Sequence, residues 1–90
     1  MLEEIKTFIA VVECKNFTRA VESINLSQPS VSLHIKRLEE YFNTTLIQRS
    51  IKQKNIVITK SGELLYKRGK QILSLLEDTK YDLLDYKIGR

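Results

Sequence analysis

The chain has 90 residues, 42% hydrophobic and 29% charged, a balance that fits one globular domain and excludes a disordered polar chain. No apolar run approaches the roughly 20 residues of a membrane span, the acidic amphipathic start MLEEIKTF is not a secretory signal, and Cys14 stands alone, so no internal disulfide is possible and the cytoplasm is the expected location. The net charge of +4 is unevenly spread: residues 1–45 carry five Lys/Arg against six Asp/Glu, residues 46–60 carry Arg49, Lys52, Lys54 and Lys60 with no acid, and residues 61–90 carry six basic and five acidic residues. An excess confined to one short segment fits a local phosphate contact as well as it fits a solvated loop.

Leu2, Ile5, Phe8, Ile9 and Val12 recur at helical spacing and predict a first helix over residues 2–14 that buries this stripe. Lys15-Asn16 breaks it. Asn16 is the N-cap candidate of a second helix, Phe17 to about Ile24, with Ala20, Val21 and Ile24 turned inward. Asn25-Leu26 makes a turn, and Ser27 caps a third helix. Pro29 falls in its first turn, where a missing N–H costs nothing. Val31, Ile35, Leu38 and Phe42 form its expected buried stripe, and Asn43 is a candidate for a left-handed C-cap. Two short β-prone pieces follow, Leu46–Arg49 and Ile56–Ile58, joined by a polar tip over 50–55. They predict a hairpin, and the absence of Gly from the tip favours a longer loop over a two-residue turn.

Thr59 can cap a final helix running from Lys60 to about Lys87 without a proline. Leu65, Ile72, Leu76 and Leu83 hold one stripe, and Leu64, Leu73, Leu75 and Leu84 widen it. In so small a protein one side of such a helix packs on the domain and the other asks for a twin helix from a second copy. Leu65, Ile72, Leu73, Leu76 and Leu83 are the expected dimerisation residues. Gly62 and Gly69, two turns apart on one face, mark either the close approach of another helix or mere weak points.

The function-bearing stretch is FTRAVESINLSQPSVSLHIK, residues 17–36. It reads as helix, tight turn, helix, the build in which the second helix lies in the DNA major groove. With Val31, Ile35 and Leu38 inward, Gln28, Ser32, Leu33 and Lys36 face outward near the helix start. Gln pairs bidentately with adenine, Ser meets several base edges, Leu touches only a thymine methyl, and Lys suits a phosphate or guanine. Ser27, with the N–H groups of the first turn, suits a phosphate oxygen, as does Thr18 at the start of the second helix. Ser30, in the same SQPS opening, is counted among the DNA-binding candidates. Lys52 and Lys54 can enter a minor groove or rest on the backbone. Arg49 can bond a phosphate or pair with Glu39.

Catalytic constellations are missing from the sequence. His34 is the single histidine and Cys14 has no ligand partner, so no zinc set exists. Gly62, Gly69 and Gly89 are scattered and form no phosphate loop. His34 is expected at the surface or against backbone, Cys14 as filler at the end of the first helix, and Glu39 and Glu40 beside Arg37 on a solvated face. No cofactor, metal or enzymatic activity is expected.

These residues resemble the LysR-type transcriptional regulators. The matching stretches are Phe8-x3-Val12, NFTRAVESINLSQPSVS from Asn16 to Ser32, IKRLE from Ile35 to Glu39, Leu46-x2-Arg49, and ITKSGELL from Ile58 to Leu65. The resemblance implies a mainly α fold: a winged helix-turn-helix over residues 1–59, with its helix-turn-helix at 17–36 and wing at 46–59. A dimerising linker helix at 60–87 follows, then at 88–90 the start of a hinge toward a larger effector-binding domain not contained in this chain. It implies that Gln28, Pro29, Ser32 and the residue at 33 approach bases, that Thr18 and Ser27 hold phosphates, and that the wing reaches the minor groove. It also implies a dimer, or a tetramer in the full-length protein, whose small-molecule effector binds only through the C-terminal domain. Three positions depart from the family pattern. Leu33 stands where Arg is usual, which removes a guanine reader. Ile47 stands where Phe is usual, which thins the core under the wing. The segment from Arg49 to Thr59 is about two residues longer than usual.

The expected function is sequence-specific binding of double-stranded DNA at an imperfect inverted repeat. The alternative is a non-enzymatic interaction module that dimerises through residues 60–87.

Overall fold

A computed structural model of the chain describes residues 1–49 and 56–87. In chain order its elements are α1 (Leu2–Cys14), α2 (Phe17–Ile24), α3 (Gln28–Phe42), β1 (Ile47–Arg49), β2 (Ile56–Ile58) and α4 (Lys60–Lys87). Local chemistry sets these boundaries. The first three helices stop at residues in the left-handed region, Lys15, Asn25 and Asn43, at φ 53°, 55° and 51°; asparagine tolerates that region well, lysine less so. Asn16 Oδ1 accepts from the Arg19 N–H at 3.2 Å, and Ser27 Oγ from the Ser30 N–H at 3.2 Å. Thr59 Oγ1 accepts from the Gly62 N–H at 3.0 Å. Each cap satisfies one amide that the first turn of its helix leaves without an intrahelical partner.

The core lies where α1 crosses α2, α3 and α4. Its largest fully buried side chains are Phe8, Val11, Val31, Leu38 and Leu46, joined by Ile5, Ile9, Ala20, Ile35, Ile47 and Leu65. Three expectations change here. Leu2 is exposed at the first turn of α1. Val11 is fully buried and Val12 only partly, because α2, α3 and α4 surround α1 widely enough to take more than one stripe. Phe42 is 43% exposed. Phe42, in the last turn of α3, lines an open groove with Leu46, Leu64, Leu65 and Ile72 instead.

The hairpin is antiparallel, with Ile47 opposite Ile58, Gln48 opposite Val57 and Arg49 opposite Ile56. Alternation puts Ile47 and Ile58 on the core side and leaves Gln48 and Val57 exposed. Glu39, expected on a solvated face, anchors the hairpin: its Oε2 accepts from the Leu46 N–H at 2.7 Å and the Ile47 N–H at 3.3 Å. Thr59 ties the other strand, donating from Oγ1 to the Thr45 carbonyl at 2.6 Å, while its N–H reaches the Leu46 carbonyl at 3.1 Å.

α4 changes character along its length. Gly62, Leu65 and Gly69 are buried and Tyr66 and Leu73 half-buried, whereas every described residue after Leu73 is exposed. Both glycines are places of close approach, and the approach comes from within the chain. A Cβ at Gly62 would run into the Leu46 carbonyl and Ile58 Cγ2, and one at Gly69 would meet Ile5 Cγ2 at 3.0 Å. Leu65, expected in the dimer seam, belongs to this domain's own core. Tyr66 fastens the same stretch to α1, its OH donating to Glu13 Oε2 at 2.8 Å. Among the described residues no helix is long and apolar enough to cross a membrane.

Candidate nucleic-acid interface

α2, the Asn25 turn and α3 form the helix-turn-helix, and α1 holds it from behind. Apolar burial of Val31, Ile35 and Leu38 fixes the rotation of α3 about its axis. Two polar contacts reinforce that rotation. His34 Nδ1 and Thr7 Oγ1 share a hydrogen bond at 2.7 Å, and Arg37 donates to Glu4 Oε2 at 3.4 Å. His34 is therefore half-buried against a side chain, not solvated or backbone-bound as the sequence suggested. Glu4 also meets the Met1 amine at 3.1 Å through its other oxygen. Its own backbone N–H and then that amine hold its carboxyl below the ordinary carboxylate range, against the opposing effect of burial. Sequence reasoning missed the Glu4–Arg37 and Thr7–His34 pairs. A signal was present: Glu4, Phe8 and Val11 lie one turn apart on α1, so Glu4 continues the buried stripe toward the helix start.

With α3 held this way, Pro29, Leu33 and Lys36 are exposed on its outer side, Gln28 is exposed in its open first turn, and Ser30 and Ser32 are half-buried at its edges. The six fall on the first two and a half turns, the part that a recognition helix presents to base edges. Thr18 is exposed in the first turn of α2. Ser27 is engaged as a cap on both counts: it accepts the Ser30 N–H and donates to Ser30 Oγ at 2.8 Å. What the start of α3 offers a phosphate is thus chiefly its backbone N–H end and the positive pole of the helix dipole. Arg49 stands at the end of β1, and Lys52 and Lys54 lie outside the described residues. Glu39, one candidate partner for Arg49, is occupied by hairpin amides. Cys14 is half-buried beside the core, its Sγ 3.8 Å from Ser23 Oγ. Among the described residues no group of His, Cys, Asp and Glu is arranged to hold a metal.

Three helices, a capped turn, a two-stranded hairpin and a long C-terminal helix define a winged helix-turn-helix of the bacterial regulatory class. Over residues 2–63 the chain matches the family described as bacterial regulatory helix-turn-helix proteins of the lysR family, and it belongs to that family. Among its relatives, the HTH-type transcriptional regulator CysL of Bacillus subtilis (strain 168) is 53% identical over 79 residues, 88% of this chain and 26% of CysL. YtlI of the same organism is 37% identical over 86 residues, 96% of this chain and 27% of YtlI. The chain thus spans about a quarter of the length of these relatives. Among solved structures it superposes on the CbnR DBD–DNA complex with a TM-score of 0.91 at 25% identity, covering 97% of this chain and 98% of that one. It superposes on the BenM DBD/catB site 1 DNA complex with a TM-score of 0.89 at 27% identity, covering 100% of this chain and 98% of that one.

Proposed function

We propose that this chain is the DNA-reading part of a LysR-type transcriptional regulator, acting without catalysis in the cytoplasm and binding an imperfect inverted repeat as a dimer. The observation that carries this reading is α3 itself, held by its buried stripe, whose start leaves Gln28, Pro29, Leu33 and Lys36 exposed with Ser30 and Ser32 half-buried beside them. In this reading Gln28, Ser32 and Leu33 meet base edges. Thr18, Lys36 and the backbone N–H groups of the turn that Ser27 caps bind the phosphate backbone. Arg49, Lys52 and Lys54 serve the wing. The solved neighbours include DNA complexes, which supports the same assignment.

The second copy joins through α4. Ile72, Leu76 and Leu83 are 42%, 46% and 56% exposed, and they lie on one side of the helix with Leu75 beside them. Leu65 drops out of this seam because it is buried at home, and Leu73 contributes only its exposed edge. Charge chooses the direction of pairing. Residues 60–71 carry Lys60, Lys67, Arg68 and Lys70 against Glu63, and residues 77–86 carry Glu77, Asp78, Asp82 and Asp85 against Lys80. This order opposes the helix dipole and so disfavours an isolated helix. In an antiparallel pair each basic half lies on the partner's acidic half; a parallel pair would set like against like. Effector binding and tetramer formation belong to the remainder of a longer protein.

Binding to DNA selected from a random pool, measured by anisotropy from 50 to 200 mM salt, tests the reading. The logarithm of affinity should fall linearly with the logarithm of salt, with a slope of about −0.9 per phosphate contacted, and light scattering should give two copies per particle. Salt-independent binding, or failure to select any DNA, would overturn it.

A further inference from the structure

Val31, Ile35 and Leu38 mark the buried side of α3. At 3.6 residues per turn, the line nearly opposite runs through Pro29 and Leu33 and then between Lys36 and Arg37. Leu33 is therefore the most outward side chain of the middle of this helix, and it is 46% exposed. Polar groups surround it: Ser32 and Lys36 on the same outer side, His34 and Arg37 tied to α1 on the other. A leucine here has no donor or acceptor. It can satisfy no base edge, and over a guanine or cytosine it would desolvate polar atoms without replacing their hydrogen bonds. The major groove offers one apolar feature, the C5-methyl of thymine.

Resting on the assignment of α3 as the DNA-reading helix, we infer that Leu33 reads the C5-methyl group of a thymine, one in each half-site of the operator. Pro29, one turn earlier on the same line, widens the apolar contact. Specificity at that position then comes from methyl burial, and neighbouring positions are left to Gln28 and Ser32.

The test uses a duplex selected from random DNA and a series in which each thymine is replaced singly by deoxyuridine. That change removes only the methyl and leaves pairing and all hydrogen-bonding groups intact. One position per half-site should weaken binding by about fourfold, the worth of one buried carbon, and by roughly fifteenfold when both half-sites are changed. Leu33→Ala should lose most of the difference between the thymine and uracil duplexes, keeping only the part that Pro29 contributes, with an unchanged melting temperature certifying its fold. If no thymine proves methyl-sensitive, or if Leu33→Ala keeps the same sensitivity, the inference fails. Failure to select any DNA would instead overturn the assignment of α3 on which it rests.

Discussion

The two sides of α3 obey different rules. Inward, Val31, Ile35 and Leu38 are at most 5% exposed, and the helix is keyed to α1 by the His34–Thr7 and Arg37–Glu4 pairs. Outward, Pro29, Leu33 and Lys36 are exposed, as is Gln28 in the open first turn. The inner side fixes where the helix points, and the outer side fixes what it touches. Sequence can therefore vary on the outer side without loss of fold, so the identity of Leu33 is not dictated by the core.

Breaking the inner side should have the largest effect. Leu38 is fully buried at the junction of α3 with the core. Leu38→Ala removes buried carbons and leaves a cavity, so it should lower unfolding free energy by about 2–5 kcal/mol. Urea denaturation followed by circular dichroism measures this. A loss below about 1 kcal/mol would mean that α3 is not held by its core side.

The outer side should respond in affinity alone. Gln28→Ala leaves the cap and the core untouched, so stability should stay within about 0.5 kcal/mol of wild type. Its binding to the selected site should weaken by about 1–3 kcal/mol, the worth of one bidentate base contact. Binding to unrelated DNA should hardly change. If specific and nonspecific affinity fell equally, Gln28 would be a backbone contact and the division between the two sides would need redrawing.

Much of this architecture was legible because it is local. Caps and left-handed stops at Asn16, Asn25, Ser27, Asn43 and Thr59 depend on short-range backbone chemistry, and they placed the helices well. What escaped was tertiary. The stripe through Val31, Ile35 and Leu38 extends to Phe42 by periodicity, but periodicity does not say that the last turn faces an open groove. Glu39 reads as a surface acid because nothing local shows that the Leu46 and Ile47 amides lie over it. Leu65 fits a dimer seam as well as it fits a core, and Gly62 and Gly69 signal close approach without naming the neighbour. The outward side of α3 was legible because it is the complement of the buried side. The Lys52 and Lys54 expectation falls outside the described residues.

The smallest effect concerns the polar contact between α3 and the start of α1. Glu4 contacts Arg37 and the Met1 amine, and its carboxyl is held below the ordinary range, with its own backbone N–H the largest cause. A depressed folded-state value means that the unfolded chain takes up the proton first as pH falls. Stability from Glu4 is therefore fully present above the unfolded carboxylate range and is lost as pH drops through the lower, folded value. Thermal melts from pH 7 to pH 3 should show wild type ahead of Glu4→Gln at neutral pH, with the gap closing in acid. A gap that stays constant with pH would assign the effect to packing of the Glu4 stem rather than to its charge.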